Sequence, residues 1–329
     1  MAITGSESDE NAQENKGPVV IAVAIVMIAL AILLIGSRLW SRWSIKALGK
    51  DDLTAVIALF FIIGTSASIM AMTQYGHGQH IWTLSDDILV LYFRAFWISI
   101  LFYLQGIYWI KVTILLHYHR IMGKIALRWV CVTAIVLITT WCITQTVMAL
   151  VQCIPIQAVW DHGIDGKCIP NQPTLWYIHG VVHIVSDFII ILMPLPIIWK
   201  LQLPSSQKAF LFSIFSLGFF NIAVSVLRLQ WLTPSKDFTW WNATPASWSL
   251  AEMVSGLACA CLPTLKPLLY RAKTWFPRTR FGDSTICLQD DGCDRNIELN
   301  TTIIGGKDTS SDRRTQPSMD ADENERNTR

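Results

Sequence analysis

The sequence predicts an all-α membrane protein, a bundle of seven transmembrane helices with its N-terminus outside and its C-terminus in the cytosol. Composition is the first reason. Hydrophobic residues make up 52% of the 329-residue chain and charged residues 15%, where a soluble domain carries about 25% charged residues. Segmentation is the second. Seven apolar stretches reach the roughly 20 helical residues that cross a 30 Å hydrocarbon core, and backbone groups in lipid must pair within their own segment. Charge placement is the third. Lys and Arg gather in alternate connections, which sets the orientation. The net charge of +2 makes no case for nucleic-acid binding.

Residues 1–17 are polar and acidic, with Glu7, Asp9, Glu10 and Glu14 against Lys16. They lack the positive start of a secretory signal, so they read as a short extracytoplasmic segment. The first span, 18–39, contains an uncharged run and is followed by Arg38, Arg42, Lys46 and Lys50. The second, 53–74, follows "GKDD", where Asp51 and Asp52 suit the positive end of a helix dipole. In the outer loop "QYGHGQHIW", glycines permit tight turning. His77 and His80 there are either plain solvated side chains or the mouth of a pocket. The third span, 88–115, carries Arg94 near its outer end and Lys111 near its inner end, where a lysine can snorkel to the cytosol. Arg120, Lys124 and Arg128 follow it.

The fourth span, 129–152, ends at a loop flanked by Cys153 and Cys168. On an oxidising outer side these two are expected to form a disulfide rather than two free thiols. The fifth, 172–199, is followed by Lys200 and Lys208; the sixth is 208–231 and the seventh 246–269. Asn242-Ala-Thr244 is a glycosylation sequon on the outer side, although Pro245 follows it directly. Lys266, Arg271, Lys273, Arg278 and Arg280 open the last segment, against only Lys16, Lys167 and Lys236 on the outer side. Residues 271–329 are rich in Asp, Arg, Ser, Thr and Asn and read as a disordered cytosolic tail. The organisation is thus 1–17, a membrane domain over 18–270, and 271–329. Cys131, Cys142, Cys259 and Cys261 are expected to pack within spans, and Cys287 and Cys293 to be reduced.

Chemistry concentrates in "HGVVHIVSDFIIILMPLP", residues 179–196. His179, His183 and Asp187 are four residues apart, so they share one helical face over about 12 Å. A carboxylate at that depth should face the bundle interior and find a partner. Arg94, Arg228 and Glu252 fall at similar depth in other spans. Together the six make a polar pocket in the outer half. A purely structural reading competes with this one, since buried polar groups also fix helix register. As functional groups, His179, His183, Asp187 and Glu252 suit acid–base catalysis, and Arg94, Arg228 and His80 suit ligand binding. A metal site is the weakest option, because nothing fixes a further ligand from another helix; no metal and no cofactor are expected. Pro194, Pro196 and Pro263 are expected to kink spans five and seven.

Seven stretches together carry a family resemblance: "GKDDLTAVIALF", "YGHGQHIW", "YWIKVTILLHYHRIM", "CIPIQAVWDHGIDGKC", "SDFIIILMPLPIIWKLQL", "LGFFNIAVSVLRL" and "AEMVSGLACACLPTLKPLL". The chain resembles the fungal rhodopsin-like integral membrane proteins, the group of the satratoxin-cluster membrane protein and the core of the Pth-eleven-like receptors. The resemblance covers about 38–270 and implies seven spans, the outer disulfide and a filamentous-fungal source. Asp187, Arg228 and Glu252 agree with the family pattern, whereas His179, His183 and Arg94 look particular to this chain. Receptor-type relatives carry a Cys-rich outer domain that residues 1–17 do not supply. Retinal is not expected, because a Schiff base needs a lysine midway along the last span and Lys266 lies at its cytosolic end.

The functional expectation is an integral membrane protein of fungal secondary metabolism, in the endoplasmic reticulum or plasma membrane. A membrane-embedded cyclase or isomerase comes first, a receptor for a small amphipathic ligand second, and a metabolite transporter third. Its expected partners are membrane lipid and a small amphipathic metabolite.

Overall fold

The computed structural model describes residues 15–121, 125–161, 163–195, 205–230 and 237–275. Among them are seven long helices: α1 (Gly17–Ser44), α2 (Lys50–Gln74), α3 (Asp86–Ile121), α4 (Ile125–Leu150), α5 (Gln172–Leu192), α6 (Ser205–Gln230) and α7 (Ala243–Trp275). The segments α1, α2, α3, Arg128–Leu150 of α4 and Thr174–Leu192 of α5 are long and apolar enough to cross a membrane. The protein is therefore a multi-pass membrane protein. In α6 the apolar stretch, Ile214–Gln230, is shorter. Residues 271–275 of the expected tail continue α7, and the rest of the tail, with Cys287 and Cys293, lies outside the described residues, as do Pro196, Lys200 and Lys236.

Helix α7 packs on α1, α2, α3 and α6. A helix surrounded by other helices need not be apolar all round, and this one buries Glu252 completely. The main core joins Ile35, Ala55, Ile62, Leu104, Ile107, Met253 and Leu257 from α1, α2, α3 and α7. The outward sides of α1 and α4 expose Val19, Ile25, Leu33, Val136, Leu137 and Ile143, as a lipid-facing surface does. Pro263 sits inside α7, which continues past it.

At one end of the bundle, Cys153 and Cys168 form a disulfide, and Cys153–Ile154 pairs antiparallel with Lys167–Cys168. The loop between α2 and α3 closes this same end. Gly78 has φ +89° and lies so close to the start of α1 that a Cβ would sit 2.7 Å from the Gly17 backbone nitrogen. Only glycine fits both conditions. The Gly78 carbonyl accepts from Lys16 N–H at 3.1 Å, and its own N–H donates to Thr239 in the one-turn helix Phe238–Trp241.

At the opposite end Arg38 is fully buried. It pairs with Asp51 at 2.6 Å and Asp52 at 2.9 Å, and donates to the Ala260 carbonyl in α7. Arg42, His117 and Arg120 also reach Asp51, at 3.1, 3.3 and 3.0 Å. Asp52 accepts from the Gly49 N–H and so caps α2. The residues expected as loop cations and dipole anions thus clasp α1, α2, α3 and α7 together.

Candidate functional site

A polar layer crosses the bundle at mid-height, built by α3, α5, α6 and α7. On α5 the four-residue spacing puts His179, His183 and Asp187 on one face, and all three are buried. Asp187 pairs with Lys111 of α3 at 3.0 Å and takes a longer contact from Asn221 Nδ2 of α6 at 3.4 Å. Lys111 also donates to the His183 carbonyl and to Ser186 Oγ, so its three N–H groups all find acceptors. Glu252 of α7 accepts from Tyr103 OH at 2.6 Å and from Ser225, and forms an ion pair with Arg228 Nε at 3.2 Å. The Arg228 guanidinium also lies over the Tyr103 ring, 4.7 Å from its centroid. Two cations thus meet two carboxylates, and the layer balances without either histidine.

The histidines lack polar partners most completely, whereas Arg228 Nε, which makes no hydrogen bond either, keeps its ion pair with Glu252. Neither ring nitrogen of His179 or His183 has a hydrogen-bond partner. His183 Nδ1 lies 3.4 Å from Asp187 and 3.8 Å from Glu252, close enough for electrostatic contact but not directed as a hydrogen bond. Buried polar atoms normally find partners, so two orphaned imidazoles side by side point to a ligand.

Cavities flank the layer. Toward the disulfide end lies one of about 400 Å³, floored by Tyr103, His179 and Arg228 and walled by Phe93, Phe96, Trp97, Trp176, Phe238 and Trp241. Toward the clasp end lies one of about 300 Å³, lined by Lys111, His183, Asp187, Asn221 and Glu252, with His117 among its lining residues. A lateral crevice of about 230 Å³ between α4 and α5 borders both histidines.

Five of the six residues expected in the pocket, His179, His183, Asp187, Arg228 and Glu252, meet in this layer; Arg94 does not. It is exposed, because it lies two residues, or about 200° of helix, from the buried Tyr92. His80 is not among the lining residues of these cavities. It pairs with Asp237 and stacks between Trp82 and Trp240, with ring centroids at 4.5 and 5.5 Å. The sequon residue Asn242 is buried and donates to Tyr92 OH at 3.1 Å, which leaves no room for a glycan in the folded chain. Lys111 was expected to snorkel; instead it is buried and holds Asp187. Tyr103, Asn221 and Ser225 also join the layer unforeseen. Among the described residues, no group of three or more His, Cys, Asp or Glu side chains is placed to hold a metal ion.

A family profile described as the fungal rhodopsin domain matches residues 37–271. The chain belongs to the fungal rhodopsin domain family. The SAT4 family membrane protein of Emericella nidulans is 27% identical over 78% of this chain and 65% of its own length. Receptor GIN3 of Arthrobotrys oligospora is 22% identical over 76% of this chain and 62% of its own length. Satratoxin biosynthesis SC1 cluster protein 4 of Stachybotrys chartarum is 24% identical over 50% of this chain and 63% of its own length. This fungal rhodopsin domain chain therefore spans less than two thirds of the length of these relatives. No solved structure matches it.

Proposed function

We propose that the chain is a seven-span protein, N-terminus outside, that binds a small amphipathic metabolite of fungal secondary metabolism and isomerises or cyclises it by acid–base chemistry. The endoplasmic reticulum or plasma membrane is its site. One observation carries the reading: the His179 ring, with neither nitrogen partnered, lines an aromatic-walled cavity. A neutral imidazole accepts a proton at one nitrogen and releases one from the other. Adding a proton at one carbon of a substrate and removing one from another changes no atom count and needs no oxidant. Proton removal by the neutral imidazole leaves negative charge on the substrate, which Arg228 at the cavity floor faces, and the aromatic walls of Trp97, Trp176 and Phe96 keep water out. Arg228 and Tyr103 at the floor suit a polar head group. Asp187 and Glu252 are held by Lys111, Arg228, Tyr103 and Ser225. They act as positioning residues that fix the histidine face. The relative named for satratoxin biosynthesis supports this setting.

The test uses microsomes supplied with the pathway precursor. His179→Ala at normal protein level should accumulate uncyclised precursor, and an unchanged product profile sinks the catalytic reading. The relative named as a receptor favours a second reading, in which the same cavity senses its ligand. Saturable ligand binding with no turnover would select it.

A further inference from the structure

The lateral crevice is the feature that neither the layer nor the cavity chemistry explains. Helix α4 is strapped to α3. Gln105 Nε2 donates to Thr146 Oγ1 at 2.9 Å, Trp97 Nε1 donates to the Ala149 carbonyl at 3.0 Å, and Tyr108 OH lies 3.1 Å from Thr139 Oγ1. Its contact with α5 is at the clasp end, where Cys131 meets Met193 and Ile190. Beyond that contact the two helices part, and Leu137, Trp141 and Gln145 face Val182, His183 and Ser186 across about 230 Å³.

The depth of this gap decides what can fill it. Trp141 lies near the middle of the apolar stretch Arg128–Leu150, and His183 at the middle of Thr174–Leu192. The indole N–H of Trp141 has no hydrogen-bond partner, and neither does any ring nitrogen of His183, which is only 4% exposed. An acyl chain lying in the crevice leaves all of these atoms unsatisfied, which is costly in hydrocarbon. Phospholipid carbonyls belong to the interface and do not reach this depth. Trp141 can only donate, so its partner must bring an acceptor oxygen dissolved in the hydrocarbon itself.

We propose that the α4–α5 crevice is a binding site for a neutral, lipid-dissolved molecule with a carbonyl or hydroxyl oxygen along an apolar chain, held by the Trp141 N–H and facing His183. The nitrogens are closed off in this conformation, so occupation parts α4 from α5. Among the described residues, no hydrogen bond ties the two helices together at this height. The crevice also borders His179, so such a molecule reaches the disulfide-end cavity sideways from lipid rather than from water. That consequence rests on the acid–base reading; the binding does not.

The probe is pentadecanone with an isotopically labelled mid-chain carbonyl, added to the full chain in lipid nanodiscs and followed by infrared spectroscopy. A saturable, red-shifted band of hydrogen-bonded carbonyl is expected. Trp141→Phe keeps the ring but removes the N–H, and should weaken binding about tenfold, the worth of one hydrogen bond. Val182→Trp fills the crevice from α5 and should abolish the band without touching the donor. Only the band of lipid-dissolved ketone in the unmodified chain, or a bound band indifferent to both substitutions, overturns the site. His179→Ala should keep the band. If that variant also leaves products unchanged, the acid–base reading fails while the crevice site stands.

Discussion

The ammonium group of Lys111 has three N–H donors and three acceptors: Asp187, the His183 carbonyl and Ser186. Removing one partner of a buried ion pair leaves an uncompensated charge. Lys111→Met should therefore destabilise the protein by about 3–5 kcal/mol. Adding Asp187→Asn should recover most of that loss, since the two sites act as a pair. Thermal midpoints in detergent for both single variants and the double variant measure the coupling. His77 makes a different residue-scale prediction. It lies in the loop after α2, stacks on Tyr92 and has Nδ1 3.2 Å from Tyr92 OH. Burial pushes its imidazole down to about 4. Between that value and the ordinary histidine range near 6.5, the unfolded chain binds a proton that the folded chain refuses. Stability from this residue is thus complete above about pH 6.5 and falls as pH drops toward 4, by on the order of 3 kcal/mol at the limit. The thermal midpoint of the unmodified chain should fall over this window, and His77→Phe, which keeps the stacking, should flatten the slope.

At the scale of elements, the clasp and the disulfide loop hold opposite ends of the bundle by different means. Asp51 is buried among Arg38, Arg42, His117 and Arg120. Asp51→Ala takes the nearest carboxylate from the buried guanidinium groups of Arg38 and Arg42 and should cost several kcal/mol. Arg120 is 37% exposed, so Arg120→Ala should cost no more than about 1 kcal/mol. Denaturation of the two variants side by side checks the ordering, and equal losses would contradict it. The Cys153–Cys168 bond spans a sequence separation of 15, so Cys153→Ser should cost about 3 kcal/mol through loop entropy, read in the same denaturation. Among the described residues, the five helices long and apolar enough to cross a membrane were legible because length and hydropathy are local properties. The face of α5 was legible because its spacing is helical. The clasp was not, because Arg38 finds Ala260 across 222 positions and no local pattern records such a pairing. Lys111 was misread through helix length. With α3 running to Ile121, the residue lies about 15 Å from the helix end, too deep for its stem to bring the charge out to the interface.

For the whole molecule, the structure fixes which groups share an end. Helix α4 runs from the clasp end to the disulfide end, about 39 Å for its 26 residues. Arg38, Arg42, Lys46, Lys50, Arg120 and Arg128 all fall at the clasp end, whereas Lys167 lies in the disulfide loop. Cations next to spans are retained on the cytosolic side during insertion. A disulfide also needs an oxidising compartment. From these two arguments, which use different chemistry, we propose that the disulfide end and the aromatic cavity face outward. The prediction, for the chain at the plasma membrane, is that a cysteine reporter between residues 161 and 166 reacts with a membrane-impermeant thiol reagent on intact cells. One placed between residues 45 and 49 should react only after permeabilisation. Labelling in the reverse order would turn the aromatic cavity, and His179 at its floor, toward the cytosol.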